Sequence, residues 1–173
     1  MFIKAEHIYF RALESSDLEL LYSTENDVSI WKVSNTITPF SKDVLEIYLH
    51  SAHQDIYTNK QLRLLICLKD THSPVGTIDL FEFEPAHLRV GVGVLIFEEF
   101  RKKGYALEAI ELIKQYAKDI LLMNQVFCNI SATNIESIRL FEKCGFQLIG
   151  TKKQWNQVSK NQFEDELMYQ ILF

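Results

Sequence analysis

The sequence predicts an α/β protein of the α+β kind, a mixed and mostly antiparallel sheet with helices on both faces. Three observations carry that expectation. Segments rich in β-branched and aromatic residues alternate with segments of helical spacing in the order β-α-α-β-β-β-α-β-α-β-β. The longest helical segment stands between two strands, and such a crossover is right-handed and leaves its strands parallel. The remaining strands can pair as a meander. With 173 residues, 47% of them hydrophobic and 24% charged, the chain can bury a real core. No linker, repeat or low-complexity segment interrupts it, so residues 1–173 read as a single domain.

Each element has its own signal. "IYFRAL" reads as the first strand, and "SSDLELLYSTEND" opens a helix with Ser16 and Glu19 at capping-box spacing. "PFSKDVLEIYLHSAHQD" is a second helix, begun near Ser41, with Val44, Leu45, Tyr48 and Leu49 on one side. Three strands follow: "QLRLLICLK", "VGTIDLFEFE" after the turn signal Ser73-Pro74, and "LRVGVGVLI". In "YALEAIELIKQYAKDIL", Leu107, Ile110, Ile113, Ala117 and Ile120 recur at three- and four-residue spacing and define a buried face. "QVFCNISA" is a strand, and "NIESIRLFEKCGF" is a short helix stopped by Gly145. "QLIGTKKQWN" and "EDELMYQILF" form a terminal hairpin.

Charge and composition exclude several classes. A net charge of -5 argues against a dedicated nucleic-acid binder. No apolar run reaches the roughly 18–20 residues that span a bilayer, and "MFIKAEHIYFRAL" lacks the apolar region of a signal peptide. A cytoplasmic protein without membrane partners is expected. Cys67, Cys128 and Cys144 form no CxxC pair and are expected to be reduced thiols in or near the core. The five histidines show no HExxH spacing; His50 and His53 lie three apart without further ligands, so no metal site is expected.

The stretch "EEFRKKGYALEAI" combines a glycine, three basic residues and the start of a helix. A helix N-terminus presents unpaired N–H groups and partial positive charge, and glycine lets a phosphate approach the backbone closely. The P-loop pattern GxxxxGK[ST] is absent, and "GVGVLI" fails the dinucleotide fingerprint because Ile96 stands at its third glycine. Arg101, Gly104 and Ala106 do fill the pattern [Arg or Gln]-x-x-Gly-x-[Gly or Ala]. Taken alone, "RKKG" reads equally well as a solvated turn between strand and helix. Thirty residues on, "NIESIRLFEKCGF" supplies Asn134, Ser137, Gly145 and Phe146. Together the two stretches resemble the coenzyme A site of the GNAT superfamily of N-acetyltransferases. The resemblance runs along the whole chain, including "FRALESSDLELL" and the terminal hairpin. It is closest to the branch of spermidine and ribosomal-protein N-terminal acetyltransferases, since "GTIDLFEFEPAHLRVGVGVLIFEEFRKKGYA" aligns without gaps on the spermidine enzymes.

The resemblance implies a GNAT-like sheet in which "VGVGVLI" and "QVFCNIS" are parallel and splay apart, with acetyl-CoA as co-substrate between them. Val94, Leu95 and Ile96 would meet the pantetheine, and Arg101, Lys102, Lys103, Gly104, Tyr105 and Ala106 the pyrophosphate. Asn134 matches a position that contacts the cofactor and is also placed to cap its helix; Lys143 falls in the same set. Transfer to a primary amine (a polyamine, another small amine or a protein N-terminus) would proceed by direct attack in a ternary complex. Glu82 matches an acidic position of the spermidine enzymes and is the candidate for amine binding or deprotonation, its other reading being a solvated strand end. On a regular strand Asp79 would face away from Glu82 and Glu84. Two departures stand out. Phe141 replaces the tyrosine that serves many members as proton donor to the departing thiolate, with Cys144 nearby. Gly91 replaces an acidic residue of the polyamine enzymes. Glu25, Asp27, Asp43 and Glu46 are acidic neighbours of the acceptor channel, more readily read as solvated surface charges, and Trp31, Phe40 and Trp155 are aromatic candidates for its wall. The resemblance also suggests a homodimer or larger homo-oligomer. A non-catalytic acyl-CoA-binding module is the alternative to an enzyme.

Overall fold

Strand alternation and one crossover build the sheet. The structure is a computed structural model and describes residues 5–34, 36–52 and 54–173. Strands β1 (Ile8–Ala12), β2 (Leu62–Leu68), β3 (Pro74–Glu84) and β4 (Arg89–Ile96) pair antiparallel as a meander. Helix α5 (Tyr105–Asp119) then crosses to β5 (Gln125–Ser131), which lies parallel to β4. The hairpin of β6 (Gln147–Ser159) and β7 (Gln162–Leu172) completes a seven-stranded sheet in the order β1-β2-β3-β4-β5-β7-β6. The expected mixed, mostly antiparallel sheet is therefore observed.

The two faces of the sheet are read off the alternation. On one, Ile66, Ile78, Leu80, Val90, Val92, Val126, Cys128 and Ile130 form the main core with Ile110, Ile113 and Ala117 of α5 and Phe141 of α6 (Ile135–Lys143). Burying each aliphatic side chain contributes about 1.5–3 kcal/mol, so this face dominates the stability. The other face carries Arg63, Asp79 and Phe81. There α1 (Leu18–Glu25) and α3 (Lys42–Ser51) bury a smaller cluster of Leu21, Leu45 and Leu49.

Local chemistry explains where the elements begin and end. Ser41 caps α3 by accepting the Val44 N–H at 3.2 Å. Helix α6 ends with Gly145 at φ +88°, the Gly145 N–H donating to Glu142 O and the Phe146 N–H to Phe141 O. These two bonds are a Schellman stop, which needs a residue at ease in the left-handed region.

Several expectations are corrected. The capping carboxylate before α1 is Asp17, not Glu19: it accepts the Glu14 N–H at 2.8 Å and both Arg11 guanidinium nitrogens at 2.8 Å. Glu19 instead pairs with Lys42, and α1 follows a 3-10 turn at Ser15–Asp17. Two short helices, α2 (Val28–Ser34) and α4 (Ile56–Asn59), stand where none was read. Val44 and Ile120 are exposed, because Leu45 and Leu49 define the inward side of α3 and α5 ends at Asp119. Cys67, Cys128 and Cys144 are free and buried as expected. His53 lies outside the described residues. Among the described residues no helix is long and apolar enough to cross a membrane.

Candidate functional site

β4 and β5 stay paired only over Arg89–Gln125, Val90–Val126 and Gly91–Phe127. Beyond Gly91, β4 continues to pair with β3 as far as Ile96, while β5 continues to pair with β7 as far as Ser131. The sheet therefore splits between its two parallel strands, as the resemblance implied. The Phe97 N–H donates to Val75 O at 2.9 Å. By alternation, Leu95 and Gly93 also point their backbone polar groups at β3, and Val92, Val94 and Ile96 turn theirs into the split. Of the three residues expected to meet pantetheine, Val94 and Ile96 offer backbone groups there, and Leu95 offers its side chain only. The Ile96 carbonyl already accepts Arg101 Nε at 3.0 Å, which leaves its N–H.

At the open end of the split lies a cleft of about 550 Å³. Gly104 is the N-cap of α5 at φ +87°, a conformation costly for any residue with a Cβ. A Cβ there would meet nothing within 4 Å, so backbone shape, not packing, calls for glycine. The first helical bond runs from Glu108 N to Gly104 O, so the N–H groups of Tyr105, Ala106 and Leu107 have no partner within the helix. Arg101, Lys102, Tyr105, Ala106, Asn134 and Lys143 line the cleft together with Ser29 and Ile30 of α2. Lys103 is the exception: its ammonium lies over the Phe100 ring, 5.2 Å from the centroid, and it lines a neighbouring cavity of about 360 Å³. Asn134 caps α6 by accepting the Ser137 N–H at 3.1 Å, which is its capping reading, and it also lines the cleft. Unpaired amides, a helix N-terminus and three cationic side chains fit a pyrophosphate.

The opposite face of the split is where an acceptor could approach. Phe81 lies across Gly91 and meets Phe127 edge-on, with centroids 6.0 Å apart. Next to it β3 bulges: Glu82 and Phe83 together oppose Val90, and Glu82 takes φ +47°. This corrects the regular-strand reading, because Phe83 enters the core and Glu82 is left exposed. Asp79 is not free to serve as a base. It accepts Arg63 Nε at 2.6 Å, and Arg63 also pairs with Glu25 at the end of α1. Burial works against the Arg63 charge, and the two carboxylates more than offset it, holding the guanidinium above its ordinary pKa.

The other acidic and aromatic candidates separate in the same way. Asp27 accepts the Ser29 N–H at 2.9 Å and starts α2, while Asp43 and Glu46 are exposed. Phe40 packs on the α1–α3 cluster, and Trp31 donates Nε1–H to Glu25 O at 2.8 Å. Trp155 is exposed beneath the Lys152 ammonium, 5.0 Å from its ring centroid. Arg63 and Lys152 were missed by sequence reasoning. A charge inside the apolar run "LRLLICL" could have flagged Arg63; "GTKKQWN" has no pattern that singles out Lys152.

Phe141 is 4% exposed and packs edge-on against Phe146, with centroids 5.0 Å apart. Cys144 cannot replace the missing phenol. Burial and then Glu111 push its thiol up to about 12. It would have to protonate a thiolate of ordinary pKa, about 8.5, which is strongly uphill.

A family model described as an acetyltransferase (GNAT) domain matches residues 7–147. The chain belongs to that family and is an acyltransferase. It is 27% identical over 137 residues to spermidine N(1)-acetyltransferase of Vibrio cholerae serotype O1 (strain ATCC 39315 / El Tor Inaba N16961), covering 79% of this chain and 76% of that protein. The fold matches that of the V. cholerae spermidine N-acetyltransferase in complex with CoA and spermine, with a TM-score of 0.85 at 23% identity over 95% of each chain. A dodecameric structure of spermidine N-acetyltransferase from V. cholerae superposes with a TM-score of 0.78 at 24% identity, covering 95% of this chain and 93% of that one.

Proposed function

We propose that this chain works as one domain that transfers the acetyl group of acetyl-CoA to a primary amine, by direct attack in a ternary complex. The observation that carries this reading is the parting of β4 from β5 after Gly91 and Phe127, with the Gly104 cradle at its open end. Family membership and the likeness to a CoA-bound structure support it. Pantetheine lies in the split against Val92, Val94 and Ile96. A strand N–H there stabilises the oxyanion of the tetrahedral intermediate. The pyrophosphate rests on the turn from Arg101 to Ala106, on amides beyond that of Arg101, which donates to Glu98 O at 3.2 Å, with Lys102 and Lys143 beside it.

An aliphatic ammonium, with a pKa of about 10, must lose a proton before it attacks. Glu82, exposed at the bulge beside Phe81, binds this amine or takes its proton, directly or through water. The nitrogen forms its bond to the acetyl carbon, the C–S bond breaks, and the electron pair leaves on sulfur. Phe141 has no proton to give, so the thiolate takes one from water or from the substrate ammonium.

The protein acts in the cytoplasm, a setting that keeps Cys67, Cys128 and Cys144 reduced. It assembles with copies of itself through the sheet edge at β6, where Leu148, Ile149, Trp155 and Val158 are exposed.

CoA thiol release from acetyl-CoA, with mass detection of products, tests the reading across spermidine, spermine, simple diamines, amino acids and short peptides. Acetylated amine in step with thiol supports it. Acetyl-CoA binding without transfer to any amine would favour the non-catalytic module instead, the reading to which Phe141 lends weight.

A further inference from the structure

We infer that Lys152 reads an oxygen of the acceptor, so that the acetylated amine belongs to an amino acid or a peptide N-terminus and not to a polyamine. This inference rests on the transferase reading above.

The first positions past the split on the acceptor face are Gly93, opposite Asp79, and Asn129, two residues beyond Phe127. Each wall carries a fixed cation at that level. On one side Arg63 is held by Asp79 and Glu25. On the other, Lys152 Nζ donates to Asn129 Oδ1 at 3.1 Å and to Glu166 Oε1 at 2.7 Å. The second Glu166 oxygen accepts Asn156 Nδ2 at 3.3 Å, and the Glu166 side chain is only 10% exposed.

Two consequences follow from the charges. Three carboxylates (Glu25, Asp79, Glu166) are paired with two cations (Arg63, Lys152), and Glu82, exposed at the bulge, is left to meet the reacting ammonium. Each of those three carboxylates is already committed to a cation, and position 91 has room for a further one only if the Phe81 ring moves. A polyamine would bring a second ammonium toward Lys152 and find like charge. An ammonium group has three donors. Lys152 spends two on Asn129 and Glu166 and lies over the Trp155 ring, 5.0 Å from its centroid; with its side chain 32% exposed, the third donor can turn from the ring to an incoming oxygen. Two extended residues span about 7 Å, so an N-terminal dipeptide carries its main-chain oxygens within that distance of its amine.

The test compares kcat/KM for free-N-terminus dipeptides, for the decarboxylated amines matched to their first residues, and for spermidine. The wild-type protein is expected to prefer the dipeptides. Lys152→Met should lower their kcat/KM about ten- to hundredfold through KM, the worth of one charged hydrogen bond. The matched amines should change less than about threefold, with acetyl-CoA affinity unaltered. Lys152→Arg, which keeps the charge, should recover part of the dipeptide activity. Preference for spermidine, or equal loss on dipeptides and amines in Lys152→Met, would overturn this inference and leave the transferase reading standing. Acetyl-CoA binding with no acceptor acetylated would remove that reading, and this inference with it.

Discussion

The Phe81 ring occupies the space that any side chain at Gly91 would need, since a Cβ there would lie 2.7–2.8 Å from two of its ring carbons. The missing carboxylate at 91 and the aromatic at 81 are therefore one feature. Gly91→Asp should destabilise the protein by about 1–3 kcal/mol through overpacking. Phe81→Ala in the same chain should recover part of that loss. Urea unfolding of the two single variants and the double variant measures this coupling; strict additivity would mean that the two sites do not share the space.

Arg63 sets a second expectation. Arg63→Met would leave Glu25 and Asp79 half-buried without their cation. Removing one partner of such a cluster costs about 3–5 kcal/mol. Thermal unfolding should show a large drop. A loss below about 1 kcal/mol, the range of a surface pair, would contradict the geometry.

Asp17 gives a pH dependence of known sign. The two bonds from Arg11, with the Glu14 N–H, hold its carboxyl below the ordinary range although burial opposes this. Its contribution is complete above the unfolded value of about 3.9 and is lost as pH falls through the lower folded value. Asp17→Asn should therefore cost about 1.5–3 kcal/mol near pH 7. The gap to wild type should close as pH drops below about 4 in chemical denaturation.

Phe141→Tyr addresses the proton on the departing thiolate. A phenol in this position donates only while protonated, so the variant should gain a rate that falls as pH rises toward about 10. Wild-type kcat should lack that descending limb. An identical pH–rate profile for both proteins would place the side chain at 141 away from the sulfur.

The parts of this molecule governed by local chemistry were legible in its sequence. Gly104 and Gly145 mark positive-φ positions, and each was placed by its neighbours: basic residues before one helix, a C-terminal turn after the other. The meander and the crossover followed from the order of segments. What stayed hidden depended on pairing across the chain. Counting alternation along β3 assumes a regular strand, and the bulge at Glu82 breaks the count, sending Phe83 inward. The four residues of α4 are too few to show a helical period. The capping box at Ser16 and Glu19 lost to Asp17, whose partner Arg11 lies on a strand. Lys152 matters through Asn129 and Glu166 on other strands, a meeting that no local spacing encodes.

The central claim is that the cleft between β4 and β5 seats acetyl-CoA on the Gly104 turn. Isothermal titration of acetyl-CoA into the wild-type protein and into Gly104→Val tests it most directly. A β-branched residue at φ +87° strains the turn by about 1–3 kcal/mol, so the backbone that presents the first amides of α5 must shift. The expected result is micromolar binding by the wild type and at least about tenfold weaker binding by the variant, the equivalent of about 1.4 kcal/mol. No binding by the folded wild-type protein at millimolar acetyl-CoA, or equal affinity in both proteins, would contradict it.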